Sequence, residues 1–302
     1  MKTIVRYNTS ILFGSFCVLQ IIRPKQWIKN FYVFAALIFS GNLLNIERAL
    51  VVTYTFLIFC LISSSVYVLN DIIDVKKDKE HPVKKYRPLP SGKMSIPLAI
   101  LWLIILIIFS VFTSIYLGKG LLLIILLYFA VNIAYSFYFK HIFLIEALIV
   151  GFGFVLRAFA GAVVLNVQIS PWLFVCTILL STFIILGKRR SELMRLSDNA
   201  RHHRRVLEFY SIQLLDQFIT IIVATTIMAY SVYTFSAANR YAMMYTIPFV
   251  IYGLFRYLYI LHIKESGDAP EEVLLGDVPT LINIGLWTIT SFLVLYDPFK
   301  WL

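Results

Sequence analysis

Asn70, Asp71, Asp74 and Asp78 place one amide and three carboxylates at the end of a long apolar run, residues 51–69. On a helix, at about 100° per residue, their directions fall within roughly a 100° arc. One face would then carry only oxygen donors. Carboxylates held that close repel one another, and a hard divalent cation relieves the repulsion. Mg²⁺ takes oxygen ligands and commonly keeps waters while sharing phosphate oxygens with a substrate. The same residues also read as a solvated helix end interleaved with Lys76, Lys77 and Lys79. Against that reading, charge at the end of an apolar run is costly without a partner. Lys84, Lys85, Arg87 and Lys93 follow, punctuated by Pro82, Pro88 and Pro90. The prolines disfavour helix and predict a stiff, extended loop. By themselves such cations are ordinary flanks of an apolar segment. Behind a row of carboxylates they suit a metal-bound diphosphate.

The elements that must hold these residues are set by composition. Of 302 residues, 60% are hydrophobic and 14% charged, against about 25% charged in a soluble domain. A bilayer crossing needs about 20 apolar residues, and the chain supplies several such runs. Backbone groups in lipid must satisfy one another, which leaves helices or a closed barrel. The runs are continuous rather than alternating, which excludes the barrel. The pattern predicts an all-α, polytopic bundle of about nine transmembrane helices, at residues 27–44, 50–69, 96–117, 121–139, 143–165, 172–187, 214–235, 245–262 and 281–296. No linker or repeat divides it, so residues 1–302 read as one membrane domain. Residues 11–22 are apolar but run into Arg23-Pro24-Lys25 without a small-residue cleavage site. Residues 1–25 therefore read as an interfacial lead-in helix.

With the N-terminus in the cytoplasm, all 27 Lys and Arg except Arg48, Lys119, Arg157, Arg240 and Lys300 fall on the cytoplasmic side. This is the asymmetry of the positive-inside rule. It places the charged loop on the cytoplasmic face of the inner membrane, and it accounts for most of the net charge of +11 without a nucleic-acid partner. Cys17, Cys60 and Cys176 are far apart in apolar runs and read as small buried side chains rather than a disulfide or metal framework. Apolar faces serve lipid and a second copy of the chain equally well, so an oligomer is admitted.

Other residues carry two readings each. Lys25 and Lys29 flank Trp27 as an interfacial anchor or as phosphate ligands. Tyr67 lies one turn before Asn70, where it touches either a ligand or the membrane interface. Tyr135 and Lys140 close the fourth run. Arg157 stands inside an apolar run, where an ionisable side chain defaults to a functional role. Its partner is a substrate phosphate, or Glu146 three turns earlier, unless it snorkels outward. Lys188, Arg189 and Arg190 follow the sixth run as topology flanks, with Lys188 the one expected to face a cavity. His202 and His203 lie in the basic stretch 201–205, which reads as a membrane-surface helix rather than a metal site.

Asn70-Asp71-x-x-Asp74-x-x-x-Asp78 resembles the first Asp-rich motif of the UbiA-type intramembrane transferases. RPKQWIKN (23–30), EHPVKKYRPLPSG (80–92), YSFYFKH (135–141), RAFAGA (157–162), GKRRSEL (187–193) and PEEVLLGD (270–277) are similar, in this order, to one branch of them, the decaprenyl-phosphate phosphoribosyltransferases. The likeness covers most of the chain. It implies a UbiA-like bundle, Mg²⁺, phosphoribosyl diphosphate as donor and a polyprenyl phosphate as acceptor. The product would supply pentose donors for a cell wall or exopolysaccharide. Carried onto this sequence, the resemblance implies Asn70 and Asp74 as metal ligands, with Asp71, Asp74 and Asp78 as the catalytic carboxylates. It implies Lys25, Tyr67, Lys84, Lys85, Arg87, Tyr135, Lys140, Arg157 and Lys188 as substrate-binding residues.

Two departures stand out. Prenyltransferases of the wider superfamily carry a second Asp-rich motif where this chain has GKRRSEL, whose acid is Glu192. That disfavours a two-metal site for a prenyl diphosphate. Within the branch a basic residue is expected before Asp277, and here it is Gly276. The alternatives are a prenyltransferase acting on an aromatic acceptor, which shares the fold and first motif, and a transporter or flippase. Against the latter, the sequence shows no paired Gly/Pro-broken apolar runs of the kind that mark inverted-repeat carriers.

Overall fold

In lipid, an apolar run can satisfy its backbone only within itself, and the computed structural model is built of helices joined by short turns, with no strand, over its described residues, 17–80, 83–168, 170–196, 205–236, 241–264 and 276–296. Among the described residues eight helices are long and apolar enough to cross a membrane. They are α1 (Ile46–Ile73), α2 (Ile96–Leu117), α3 (Lys119–Phe137), α4 (Ile145–Leu165), α5 (Pro171–Leu196), α6 (Ile212–Ser236), α7 (Ile247–His262, which spans only together with the 3₁₀ turn Tyr241–Thr246 before it) and α8 (Val278–Tyr296). Together they make an integral, multi-pass membrane protein.

The first predicted span is different. It is a 3₁₀ stretch, Pro24–Phe34, followed by the short α-helix Ala35–Phe39. Proline at its first position and a left-handed Arg23 (φ 52°, ψ 64°) turn the chain sharply into it. The stretch packs on α1 and α4. The stretch and α4 come close at Gly161, where a Cβ would lie 1.9 Å from the Val33 carbonyl oxygen. Only glycine allows the two backbones to meet there.

α1 and α4 are the most enclosed helices of the bundle. Val33, Phe59, Ile62, Tyr128 and Leu156 form the core between them, α3 and the first stretch. A second core joins α5, α6 and α7 through Phe183, Leu186, Leu215, Ile219 and Tyr257. α2 turns Ile104, Ile108, Phe112 and Ile115 outward, as expected of a lipid-facing helix. It meets α3 through Gly118 alone, at φ 125°, a backbone conformation that favours glycine.

Two further differences from the sequence reading shape the site. α5 runs nine residues beyond its predicted end at Gly187, so GKRRSEL is helix rather than loop. The proline-rich segment is not extended. Pro88, Leu89 and Pro90 are buried, and Leu89 and Met94 pack with Cys17, Ile21 and Val68. A turn with Gly92 at φ 76° closes it, with Met94 N–H donating to the Pro88 carbonyl at 3.0 Å. Burial of the apolar residues between the cations folds the loop down onto the bundle.

Candidate active site

The ends of α1, α3, α5 and α7 lie at one end of the bundle, and the charged side chains meet there. α1 stops at Ile73. Asp74 caps it at φ −91°, ψ 5°, and a short helix, Val75–Glu80, continues. The four oxygen-bearing residues divide into two pairs. Asp71 and Asp78 are seven residues apart, nearly eclipsed at about 100° per residue, and both are buried. Arg87 Nη1 donates to both, at 3.1 Å to Asp71 and 2.9 Å to Asp78. Arg23 adds a close ion pair to Asp71, and Lys84 Nζ stands 3.7 Å from Asp78. Arg87 is extended ahead of Pro88, and docking of the loop aims it inward. This pair of carboxylates is therefore already neutralised by the chain's own cations.

Asn70 and Asp74, four residues apart, form the second pair. Asn70 Oδ1 accepts a hydrogen bond from Ser136 Oγ at 2.5 Å. Asp74 meets Lys140 Nζ at 3.3 Å and keeps 37% of its side chain exposed. An amide oxygen and a partly exposed carboxylate are hard donors. Mg²⁺ is typically held by one or two carboxylates plus waters and substrate phosphates. Asn70 and Asp74 fit such an ion, with the remaining positions left to phosphate and water. Among the described residues no three His, Cys, Asp or Glu side chains converge for a fully protein-made site.

Lys84 is half-buried. Burial pulls its ammonium below the usual lysine range, opposed by Asp78 and reinforced by Arg87. Such a group gains from a phosphate placed beside it. Glu192 on α5 also acts on it electrostatically, which brings the end of α5 to the same cluster. Lys85 is exposed, over the Tyr86 ring at 5.1 Å. Lys25 is exposed at the start of the 3₁₀ stretch. The Arg23 guanidinium lies 5.2 Å from the centre of the Tyr67 ring. Tyr135 and Lys188 are half-buried near the ends of α3 and α5.

Arg157 is not gathered into this cluster. Its guanidinium donates to Asn30 Oδ1 (2.7 Å), the Tyr128 hydroxyl (2.8 Å) and the Gly153 carbonyl (2.7 Å), between the rings of Tyr128 and Phe154. Glu146, its other expected partner, is held by Arg189 through two bonds of 2.7 and 3.0 Å. Arg190 pairs with Asp216 at 2.6 Å and reaches the Leu261 carbonyl. These two arginines thus tie α5 to α4, α6 and α7. Asp277 caps α8 through Thr280 and binds Arg256 and Lys264. His202, His203, residues 1–16 of the lead-in and residues 270–275 lie outside the described residues.

Sequence reasoning missed Arg23, Asn30, Ser136 and the Glu146–Arg189 pair. A signal existed for one of them. Tyr128, Asn132 and Ser136 recur every four residues in an otherwise apolar helix, marking a polar face of α3.

The family model for the UbiA prenyltransferase family matches residues 30–275. The decaprenyl-phosphate phosphoribosyltransferase of Corynebacterium glutamicum is 30% identical over 289 residues, covering 92% of this chain and 86% of the relative. That of Mycolicibacterium smegmatis is 31% identical over 296 residues, covering 92% of each. A UbiA homologue of Archaeoglobus fulgidus, solved with GPP and Mg²⁺, matches with a TM-score of 0.70 at 19% identity, over 92% of this chain and 99% of that one. This last likeness is one of fold.

Proposed function

The chain belongs to the UbiA prenyltransferase family, in its decaprenyl-phosphate phosphoribosyltransferase branch, and from that premise we propose that it transfers 5-phosphoribosyl from phosphoribosyl diphosphate to a polyprenyl phosphate of the bilayer. Pyrophosphate is the leaving group. The observation that carries this reading is the division of charge at the site. Asn70 and Asp74 offer oxygen next to Lys140, with Lys84 nearby, whereas the end of α5 offers Lys188, and its one acid, Glu192, is engaged by Arg189. One ion and several cations suit a sugar diphosphate better than the two-ion arrangement expected for a prenyl diphosphate.

Held by Asn70 and Asp74, Mg²⁺ would neutralise diphosphate charge and stabilise the departing pyrophosphate. Lys84, Lys85, Lys140, Lys188 and Lys25 surround the donor phosphates and add fixed positive charge. Tyr67 and Tyr135 flank them. Asp71 and Asp78, bound to Arg87, hold the loop that presents Lys84. Arg157 secures the stretch that carries Lys25. An oxygen of the acceptor phosphate attacks the anomeric carbon of ribose. The bond from that carbon to the diphosphate breaks, and its electron pair leaves with pyrophosphate. The attacking phosphate is already ionised at neutral pH, so no proton has to be removed and no general base is required. The charge asymmetry of the loops supports a site on the cytoplasmic face of the inner membrane.

The test feeds purified protein radiolabelled phosphoribosyl diphosphate with polyprenyl phosphate and, separately, a prenyl diphosphate with an aromatic acid. Label in the lipid fraction and Mg²⁺-dependent pyrophosphate release are expected in the first reaction. Product in the second alone would reject the proposed donor and favour the aromatic prenyltransferase.

A further inference from the structure

Ser136 lies on α3 and is 3% exposed. Its hydroxyl has one proton and two acceptors in reach, the Asn132 carbonyl at 2.8 Å and Asn70 Oδ1 at 2.5 Å. A serine inside an apolar helix ordinarily bonds back to its own helix, as Ser110 does to the Leu106 carbonyl on α2. Ser136 has in addition an inter-helix acceptor, and it is the nearer of the two. An asparagine amide presents an oxygen at one edge and an NH₂ at the other, and rotation about its last torsion exchanges them. When the hydroxyl proton goes to the amide oxygen, the nearer acceptor, rather than to the Asn132 carbonyl, it holds that edge in place and occupies one of the oxygen's two lone pairs. The second lone pair stays available.

We propose that Ser136 is a positioning residue that orients the Asn70 amide, so that its oxygen rather than its NH₂ serves the divalent cation shared with Asp74. Ser136 touches neither substrate nor ion and acts through Asn70. The inference rests on the reading of Asn70 and Asp74 as the metal pair. It extends that reading to the α3 side of the site, where the polar face of Tyr128, Asn132 and Ser136 meets α1.

The experiment measures Mn²⁺ binding to the purified full chain by calorimetry and electron paramagnetic resonance, without either substrate. Ser136→Ala should weaken binding about 10-fold, the scale on which an outer partner of a metal ligand acts. Ser136→Thr, which keeps the hydroxyl, should bind as the wild type does. Ser136→Cys, of similar size but a weaker donor, should fall between them and serves where the alanine variant is unstable. Added to Asn70→Ala, Ser136→Ala should cost nothing further. In turnover assays the requirement for Mg²⁺ should rise while KM for the polyprenyl phosphate stays constant. Wild-type Mn²⁺ affinity in Ser136→Ala, with binding lost in Asp74→Ala, overturns the role of Ser136 and leaves the metal pair standing. An equal loss in the Asn70→Ala background also overturns it. Unchanged binding in Asp74→Ala and Asn70→Ala rejects the metal pair and this inference together.

Discussion

The ends of α1 and α5 both carry charged side chains at the same end of the bundle, yet they use them differently. At α1, Asp74 keeps 37% of its side chain exposed and meets Lys140 at 3.3 Å. At α5, Arg189 and Glu146 are 4% and 0% exposed and share two bonds of 2.7 and 3.0 Å. A partly hydrated, longer pair can exchange partners when a phosphate or an ion arrives. A fully desolvated bidentate pair cannot, because either charge left alone inside the protein is heavily penalised. The α1 end is arranged for a ligand, and the α5 end for holding helices together. The buried pair Asp71 and Asp78, closed by Arg87, shows both uses within one motif.

Variants can break this contrast. The largest effect is expected at α5. Glu146→Ala leaves Arg189 buried beside Glu192 alone and should cost about 3–5 kcal/mol, read as a lower Tm in detergent. The double variant Glu146→Leu/Arg189→Met should recover most of that loss, since neither member of the fully buried pair remains charged and Glu192, the other partner of Arg189, keeps contact with solvent. At α1 the signs reverse. Asp74→Ala should keep Tm close to wild type and lower turnover by about 10²–10³-fold, the scale for a group that stabilises transition-state charge. Near-normal turnover in Mg²⁺ would remove Asp74 from the metal site.

Lys84→Ala should raise the donor KM by about 10-fold, the equivalent of one charge-assisted contact, with a smaller change in kcat. An effect confined to the acceptor KM would move Lys84 to the lipid phosphate.

The smallest effect is expected at Asp277, outside both ends. The Arg256 hydrogen bonds, aided by Lys264 and Thr280 and opposed by burial, hold its carboxyl well below the usual carboxylate range. A depressed folded-state pKa contributes stability above the unfolded value, near about 4, and loses it as pH falls toward the folded one. Wild type should therefore melt a few degrees above Asp277→Asn at neutral pH. The gap should close on acidification below about pH 4. A gap independent of pH would show that shape rather than charge caps α8.

Much of this contrast was legible residue by residue. The span at 96–117 coincides with α2, and those at 50–69, 121–139, 143–165, 214–235, 245–262 and 281–296 fall within a few residues of their helices. Apolar periodicity and length are local properties, so they read directly. The first stretch was misjudged because composition does not register the turn at Arg23-Pro24. The end of α5 was misjudged because charge was taken as a stop signal, whereas Glu146 and Asp216 receive those charges and let the helix continue. Within Asn70–Asp78 the arc of oxygen donors was predictable, but its division into two pairs was not.

The sequence by itself determined that the chain is a helical membrane protein, which residues cluster their charge, and which family it resembles. Those properties follow from the hydrocarbon thickness, the helical repeat and the order of motifs along the chain. Tertiary structure alone decided which charges are engaged. Arg87 closes on Asp71 and Asp78, Arg189 on Glu146, Arg157 on Asn30 and Tyr128, and Ser136 on Asn70. An ion pair or hydrogen bond requires two groups within a few ångströms, and here partners as many as 127 residues apart are brought that close only by helix packing.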